Sequence, residues 1–254
     1  MPHGTPDWGL VGPKSTTFGL DDLGEHAVRL GSPDFFDRRG DVLWLTDFSE
    51  GMGMVEALPA GAGAAVRLVT GYSRQGAFCV GLTAGTTGLR SATIQKMFPW
   101  PVYSRIGWEF SFSCHLQTQY WEATVAGQSP TLEFDVSVRY DHVNNILECL
   151  TPGGVYVPFA TPVVAHEYDT CDNTLKMVAD LGLYNAAGVW APEYVRAILN
   201  DVEYPVEVAG VRQLVYTFGG PGGPFIRCAA YHFGLAAGNA VGYVDNVILT
   251  QNEP

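Results

Sequence analysis

Glu167-Tyr168-Asp169-Thr170-Cys171-Asp172 sets three carboxylates at positions i, i+2 and i+5. On an extended strand, Glu167 and Asp169 would share a face. Two carboxyls held about 5–5.5 Å apart can act as acid and nucleophile at one bond, if one stays protonated and the other ionised. The flanks here oppose that division. His166, Thr170 and Asn173 make a wet, polar setting that leaves all three acids ionised at neutral pH. Residues 163–165 and 174–177 offer no aromatic lining for a cleft. The stretch reads as a loop ahead of an apolar strand, and no turnover is expected from Glu167, Asp169 and Asp172. A second pair, Glu133 and Asp135, falls on the polar side of an alternating strand and reads as a solvated face.

Two echoing motifs stand at opposite ends of the strand-rich region. Leu43-Trp44-Leu45-Thr46-Asp47-Phe48-Ser49-Glu50-Gly51 and Gly242-Tyr243-Val244-Asp245-Asn246-Val247-Ile248-Leu249-Thr250 each set an acid into a short apolar strand. First and last strands often pair in an antiparallel sandwich, which would gather Asp47, Glu50 and Asp245. Calcium takes about six to eight oxygens, so backbone carbonyls would have to join these acids. The histidines, His3, His26, His115, His142, His166 and His232, show no metal-ligand spacing with one another.

Aromatic residues carry any sugar-binding expectation, because sugar rings stack their C–H faces on Trp and Tyr. Trp100 and Tyr103 sit in a proline-stiffened stretch, Phe98-Pro99-Trp100-Pro101-Val102-Tyr103, and Tyr120 and Trp121 follow Gln119. These four form the candidate platform. The competing reading has them plug the ends of a sandwich or line a subunit interface.

The elements that must position these residues are strands. Candidates cover 42–48, 65–70, 77–82, 92–97, 106–115, 131–140, 146–151, 155–159, 175–181, 194–199, 202–206, 213–218, 225–233 and 240–249. The clearest alternation puts Leu132, Phe134, Val136, Val138 and Tyr140 on a core face, with Glu133, Asp135, Ser137 and Arg139 opposite. Asn144-Asn145 and Asn200-Asp201 suit tight turns with positive φ. Many short strands with regular turns predict an all-β fold, an antiparallel β-sandwich over 41–254. Residues 1–40 mix Gly, Pro and charge and read as an N-terminal extended arm.

Composition narrows the function classes. The 254 residues carry 26 acidic and 14 basic side chains, for a net charge of −12. That excludes the basic stripe of a nucleic-acid groove and suits cations or neutral, sugar-like ligands. Only 16% of residues are charged, below the usual level of about 25%. A surface so low in charge suggests coverage by partners, here other copies in a homo-oligomer. The five cysteines include no CxxC pair, and mostly free thiols are expected, made in the cytoplasm. No signal peptide and no membrane-spanning run is read.

Asp47-Phe48-x-x-Gly51 after an apolar strand, with Val244-Asp245-Asn246-Val247-Ile248-Leu249 at the end, resembles the jelly-roll carbohydrate-binding modules. The stretches 175–180 and 194–204 are similar to concanavalin-like or laminin-G-like sandwiches. The resemblance implies a jelly roll, a structural calcium at the first-strand and last-strand acids, and a non-catalytic structural or binding protein with glycan as its ligand. Two alternatives stay open. One is a self-assembling structural protein, a virion or appendage component tied together by its arm. The other is a glycoside hydrolase using Glu167, since Glu167-x-Asp169-x-x-Asp172 is similar to the Glu-x-Asp-x-x-Glu signature of jelly-roll hydrolases. That signature implies nucleophile and acid at the outer positions and an orienting Asp169.

Overall fold

The computed structural model describes residues 39–74, 77–86, 91–99, 104–128, 133–167, 170–183, 191–218, 225–235 and 240–254. These hold eighteen strands and no helix. In chain order they are β1 (Asp41–Thr46), β2 (Glu56–Ala60), β3 (Ala65–Val69), β4 (Cys79–Thr83), β5 (Ser91–Phe98), β6 (Arg105–Phe112), β7 (Thr118–Gln128), β8 (Glu133–Asp141) and β9 (Ile146–Leu150). There follow β10 (Tyr156–Ala160), β11 (Asn173–Asp180), β12 (Glu193–Leu199), β13 (Val202–Pro205), β14 (Glu207–Val208), β15 (Val211–Arg212), β16 (Tyr216–Phe218), β17 (Ile226–Gly234) and β18 (Val241–Gln251).

All pairings are antiparallel. One sheet runs β13-β12-β11-β6-β18-β4-β3, with β1 also on β18. The other runs β10-β9-β8-β7-β17-β5-β2, with β16 also on β8. The two face each other across one core, and the fold is a jelly-roll, concanavalin-like β-sandwich. First and last strands do pair, with Thr46 opposite Val247. The expected turns hold too: Asn145 and Asn200 adopt φ of 54° and 58°. Of the proposed arm, only Arg39 and Gly40 lie within the described residues.

The core follows from alternation. Phe134, Val136, Val138 and Tyr140 of β8 are buried as expected, while Leu132 falls outside the described residues. Large side chains bridge the sheets and satisfy their polar atoms on the far side, as buried aromatics must. Trp108 Nε1 of β6 donates to the Ala229 carbonyl of β17 at 3.0 Å. The Tyr194 hydroxyl of β12 accepts from the Ser137 amide of β8 at 2.9 Å. Gly242 is required where it stands: a Cβ there would lie 2.5 Å from Trp121 and 2.6 Å from His232.

The outer face of the first sheet holds a buried ionic cluster. Glu253 meets Lys176 Nζ at 2.7 Å and the Arg196 guanidinium at 2.5 Å, with Glu109 3.9 Å from the same lysine. This cluster fastens the segment after β18 onto β11 and β12.

Candidate functional site

The outer face of the second sheet is where the polar side chains converge. Strand β7 carries Tyr120, Glu122, Thr124 and Ala126 to that face. Register places them beside Asp141, Arg139, Ser137 and Asp135 of β8. On the other flank, β17 sets Tyr231 beside Glu122 and Arg227 beside Ala126. Thr93 and Gln95 of β5, Glu148 of β9 and Tyr156 of β10 complete the surface.

A hydroxyl relay runs across its centre. Thr124 Oγ1 donates to Glu122 Oε1 at 3.0 Å and lies 3.1 Å from Ser137 Oγ, which is 2.9 Å from the Tyr156 hydroxyl. Arg139 is clamped beside it, 3.9 Å from the Tyr156 ring and 4.8 Å from the Tyr120 ring, with Nε on Glu148 at 2.5 Å. Tyr120 stacks on Phe233 at 4.2 Å, and Phe233 on Tyr231 at 6.0 Å, giving a half-buried aromatic row.

Electrostatics set two acids of this face, Glu122 and Asp135, apart from ordinary surface carboxylates. Burial pushes the Glu122 carboxyl above its usual range, against the lowering pull of hydrogen bonds from Tyr156, Thr124 and Ser137 and of the Arg139 charge. Burial, and then the Glu122 charge, push Asp135 up to about 6, with Arg227 pulling the other way. Among the described residues, buried Asp135 Oδ1, Arg227 Nε and Gln95 Oε1 have no hydrogen-bond partner. A cavity of about 140 Å³, lined by Ala126, Gly127, Glu133, Phe134, Asp135, Phe225 and Arg227, opens beside two of these atoms.

This corrects the reading of Glu133 and Asp135 as a solvated strand face. Ser137, between Asp135 and Arg139, is buried, and neighbouring strands crowd the row. Glu122 was missed because β7 was missed. Its alternation, Trp121, Ala123 and Val125 against Glu122, Thr124 and Ala126, is visible in the sequence. Reading Tyr120 and Trp121 together as one sugar-stacking platform hid it.

The expected platform is not one surface. Tyr120 belongs to the polar face, but Trp121 is its strand neighbour and points the other way. Trp121 is fully buried, donates from Nε1 to the Ser113 carbonyl at 2.8 Å and packs on Phe112 and His232. It is core, not a sugar-stacking ring. Trp100 and Tyr103 lie outside the described residues.

Of the three acids expected at a cation, Asp47 and Glu50 line one surface pocket. Strand β1 ends at Thr46, so Asp47 is not set into a strand as expected: its Oδ1 accepts from the Ser49 amide and hydroxyl at 3.0 and 2.7 Å. Buried Asp245 accepts from the amides of Arg74 and Asn246 at 3.0 and 2.9 Å, at a bulge in β18. Glu50 is exposed. Among the described residues, no group of three or more His, Cys, Asp or Glu side chains is arranged to hold a metal ion.

Glu167 lies in the loop between β10 and β11, as the sequence suggests, with its side chain 60% exposed. Asp172 sits just before β11, hydrogen-bonded by Thr170, and Asp169 is outside the described residues. Glu167 closes a line of three groups. Its Oε1 is 4.0 Å from His142 Nε2, and His142 Nδ1 is 3.2 Å from Cys114 Sγ. Burial, and then the Glu167 charge, push the Cys114 thiol up to about 12, so it stays protonated and is no nucleophile. All five cysteines are free and buried.

No protein-family model matches the sequence, and a search of curated proteins finds no match. Solved structures do share the fold. The alginate lyase vAL-1 from Chlorella virus aligns over 83% of this chain and 100% of its own, at 11% identity and a TM-score of 0.53. The endo-β-1,4-glucuronan lyase from the fungus Trichoderma reesei aligns over 83% and 96%, again at 11% identity and a TM-score of 0.53.

Proposed function

We propose that this protein binds a glycan across the outer face of the second sheet. The observation that carries the reading is the set of unpartnered buried atoms there, Asp135 Oδ1, Arg227 Nε and Gln95 Oε1, on the same face as the Tyr120–Phe233–Tyr231 row. A buried polar atom without a partner is unfavourable unless a ligand supplies one. A sugar supplies both needs, with hydroxyls that donate and accept and a C–H face that covers aromatic rings. The two solved structures of the same fold are named for enzymes that act on polysaccharides, which agrees with this reading at the level of ligand class.

The test is affinity electrophoresis in gels cast with soluble β-glucan, xylan, galactan or mannan. Retardation is expected in at least one. Tyr120→Ala should weaken it by up to about tenfold, the loss of one stacked ring. Arg227→Ala should weaken it as well. Retardation in none, or retardation untouched by both substitutions, refutes the assignment of this face.

A further inference from the structure

We propose, resting on the glycan reading above, that the cavity between Arg227 and Asp135 is a subsite for the acetamido group of an N-acetylated sugar, so that the preferred ligand is a neutral oligosaccharide of N-acetylhexosamines. Strand register builds the site. Arg227 of β17 lies opposite Ala126 of β7, and Ala126 lies opposite Asp135 of β8. The backbones that carry Arg227 and Asp135 therefore stand two strand spacings apart, about 9.5 Å. Ala126, with only a methyl, leaves the space between them open. All three residues line the cavity of about 140 Å³. Asp135 Oδ1 and Arg227 Nε are buried and, among the described residues, have no hydrogen-bond partner. One wall thus offers an acceptor and the other a donor.

The group that answers both walls must donate to one side and accept from the other. A carboxylate only accepts, and it would set an anion against Asp135. An ammonium only donates, and it would set a cation against Arg227. A hydroxyl does both from a single oxygen, so it serves one wall at a time. A trans secondary amide points its N–H and C=O to opposite sides, as each peptide unit of a strand does between its two neighbours. Laid over Ala126, it donates to Asp135 and accepts from Arg227. Gly127, Phe134 and Phe225 line the rest of the cavity and match the acetyl methyl. A Cβ on Gly127 would lie 2.7 Å from the Phe134 ring and 2.7 Å from the Phe225 carbonyl, so no larger residue fits there. The four heavy atoms of an acetamido group, at about 30 Å³ for each water-sized unit, suit the volume.

The ligand extends beyond one ring. Ala229 is next to Arg227 on this face, with Gln95 opposite it, and Tyr231 follows. Tyr231 is roughly 13 Å along β17 from Arg227. A sugar seated at the cavity needs further rings to reach the Tyr231–Phe233–Tyr120 row, and their hydroxyls pass Gln95 Oε1, the third unpartnered atom.

The experiment is calorimetric titration of the full chain with matched β-1,4-linked hexamers of N-acetylglucosamine, of glucose and of glucosamine, beside affinity gels cast with glycol chitin, desialylated mucin, β-glucan, xylan, galactan or mannan. An N-acetylated ligand should bind at least about tenfold tighter than its acetamido-free counterparts, the worth of two hydrogen bonds. Arg227→Met and Asp135→Leu should each bring that ratio down toward one, with thermal melts showing both variants folded. The matched ligands need no variant, so they decide even where a substitution unfolds the chain. Binding of glucan, xylan, galactan or mannan as tight as that of every N-acetylated ligand overturns the subsite and leaves the glycan reading standing. So does tighter binding of the glucosamine hexamer, whose ammonium groups would be pairing with Asp135 and Glu133. A preference for the acetamido group that survives both substitutions also overturns the proposal. No binding of any glycan sinks both readings.

Discussion

Burial works on Asp135 and His232 in opposite directions. The Asp135 carboxyl, raised to about 6 from 3.8, binds its proton more tightly folded than unfolded. Stability from this group is therefore lost as pH rises from about 3.8 through 6. Asp135→Asn should thus raise the melting temperature at pH 7.5, by the equivalent of about 1–3 kcal/mol, and by less at pH 5. An equal gain at both pH values would mean that the side chain is not strained by ionisation. His232, packed at a tilt against Trp121, is lowered to about 3 by burial, so the unfolded chain takes up the proton first. Its contribution is complete above 6.5 and lost as pH falls toward 3. Little of this was legible in the residues. His232 reads as a strand histidine, but its depth depends on Gly242 of β18 opening room for the ring, a contact between distant segments. Asp135 was placed on the correct face, while its setting depends on Glu122 and Arg227, which only the register of β7 and β17 brings near.

Most strands announce themselves by alternation, and β8 does so best because one face is core and the other polar. Phe134→Ala should cost about 3–5 kcal/mol in denaturant melts, since its ring is fully buried. A loss under about 1 kcal/mol would reverse the facing. Strand β7 was missed for a physical reason. It starts with adjacent Tyr120 and Trp121, and two bulky aromatics in a row disguise a period of two until the strand is followed to Val125. β2, Glu-Ala-Leu-Pro-Ala, was missed because proline and small residues suit an edge, where pairing is one-sided. The ionic cluster joining β11, β12 and the segment after β18 was equally hidden, as charge in a strand normally signals solvent. Lys176→Met should cost about 3–5 kcal/mol, because it leaves Glu109 and Glu253 buried with one cation fewer. A neutral outcome would show that water reaches these acids.

At the scale of the whole molecule, the pairing of first and last strands was legible because both motifs put apolar residues at the two ends of the strand-rich region. The ion expected there was not settled by that pairing. A structural calcium at Asp47, Glu50 and Asp245 stays a proposal, with a melting temperature lowered by chelator as its required result. Subunit assembly through residues 1–40 is likewise a proposal, and light scattering before and after deleting them decides it. Net charge makes the sharpest prediction at this scale. With −12 spread over a chain of 254 residues, long-range attraction favours cations and disfavours polyanions. A neutral glycan carries no charge for that field to act on, and it would be held by stacking and hydrogen bonds at short range. Its affinity should stay within about twofold between low and high salt, where the Debye length falls from about 30 to 3 Å. A uronate polymer should bind more weakly at low salt and gain as screening rises. Calorimetric titrations with a neutral glucan and with alginate, each at two ionic strengths, measure both slopes. Tight alginate binding that weakens with salt would mean that Arg139 and Arg227, not the acids beside them, set the charge of the binding face.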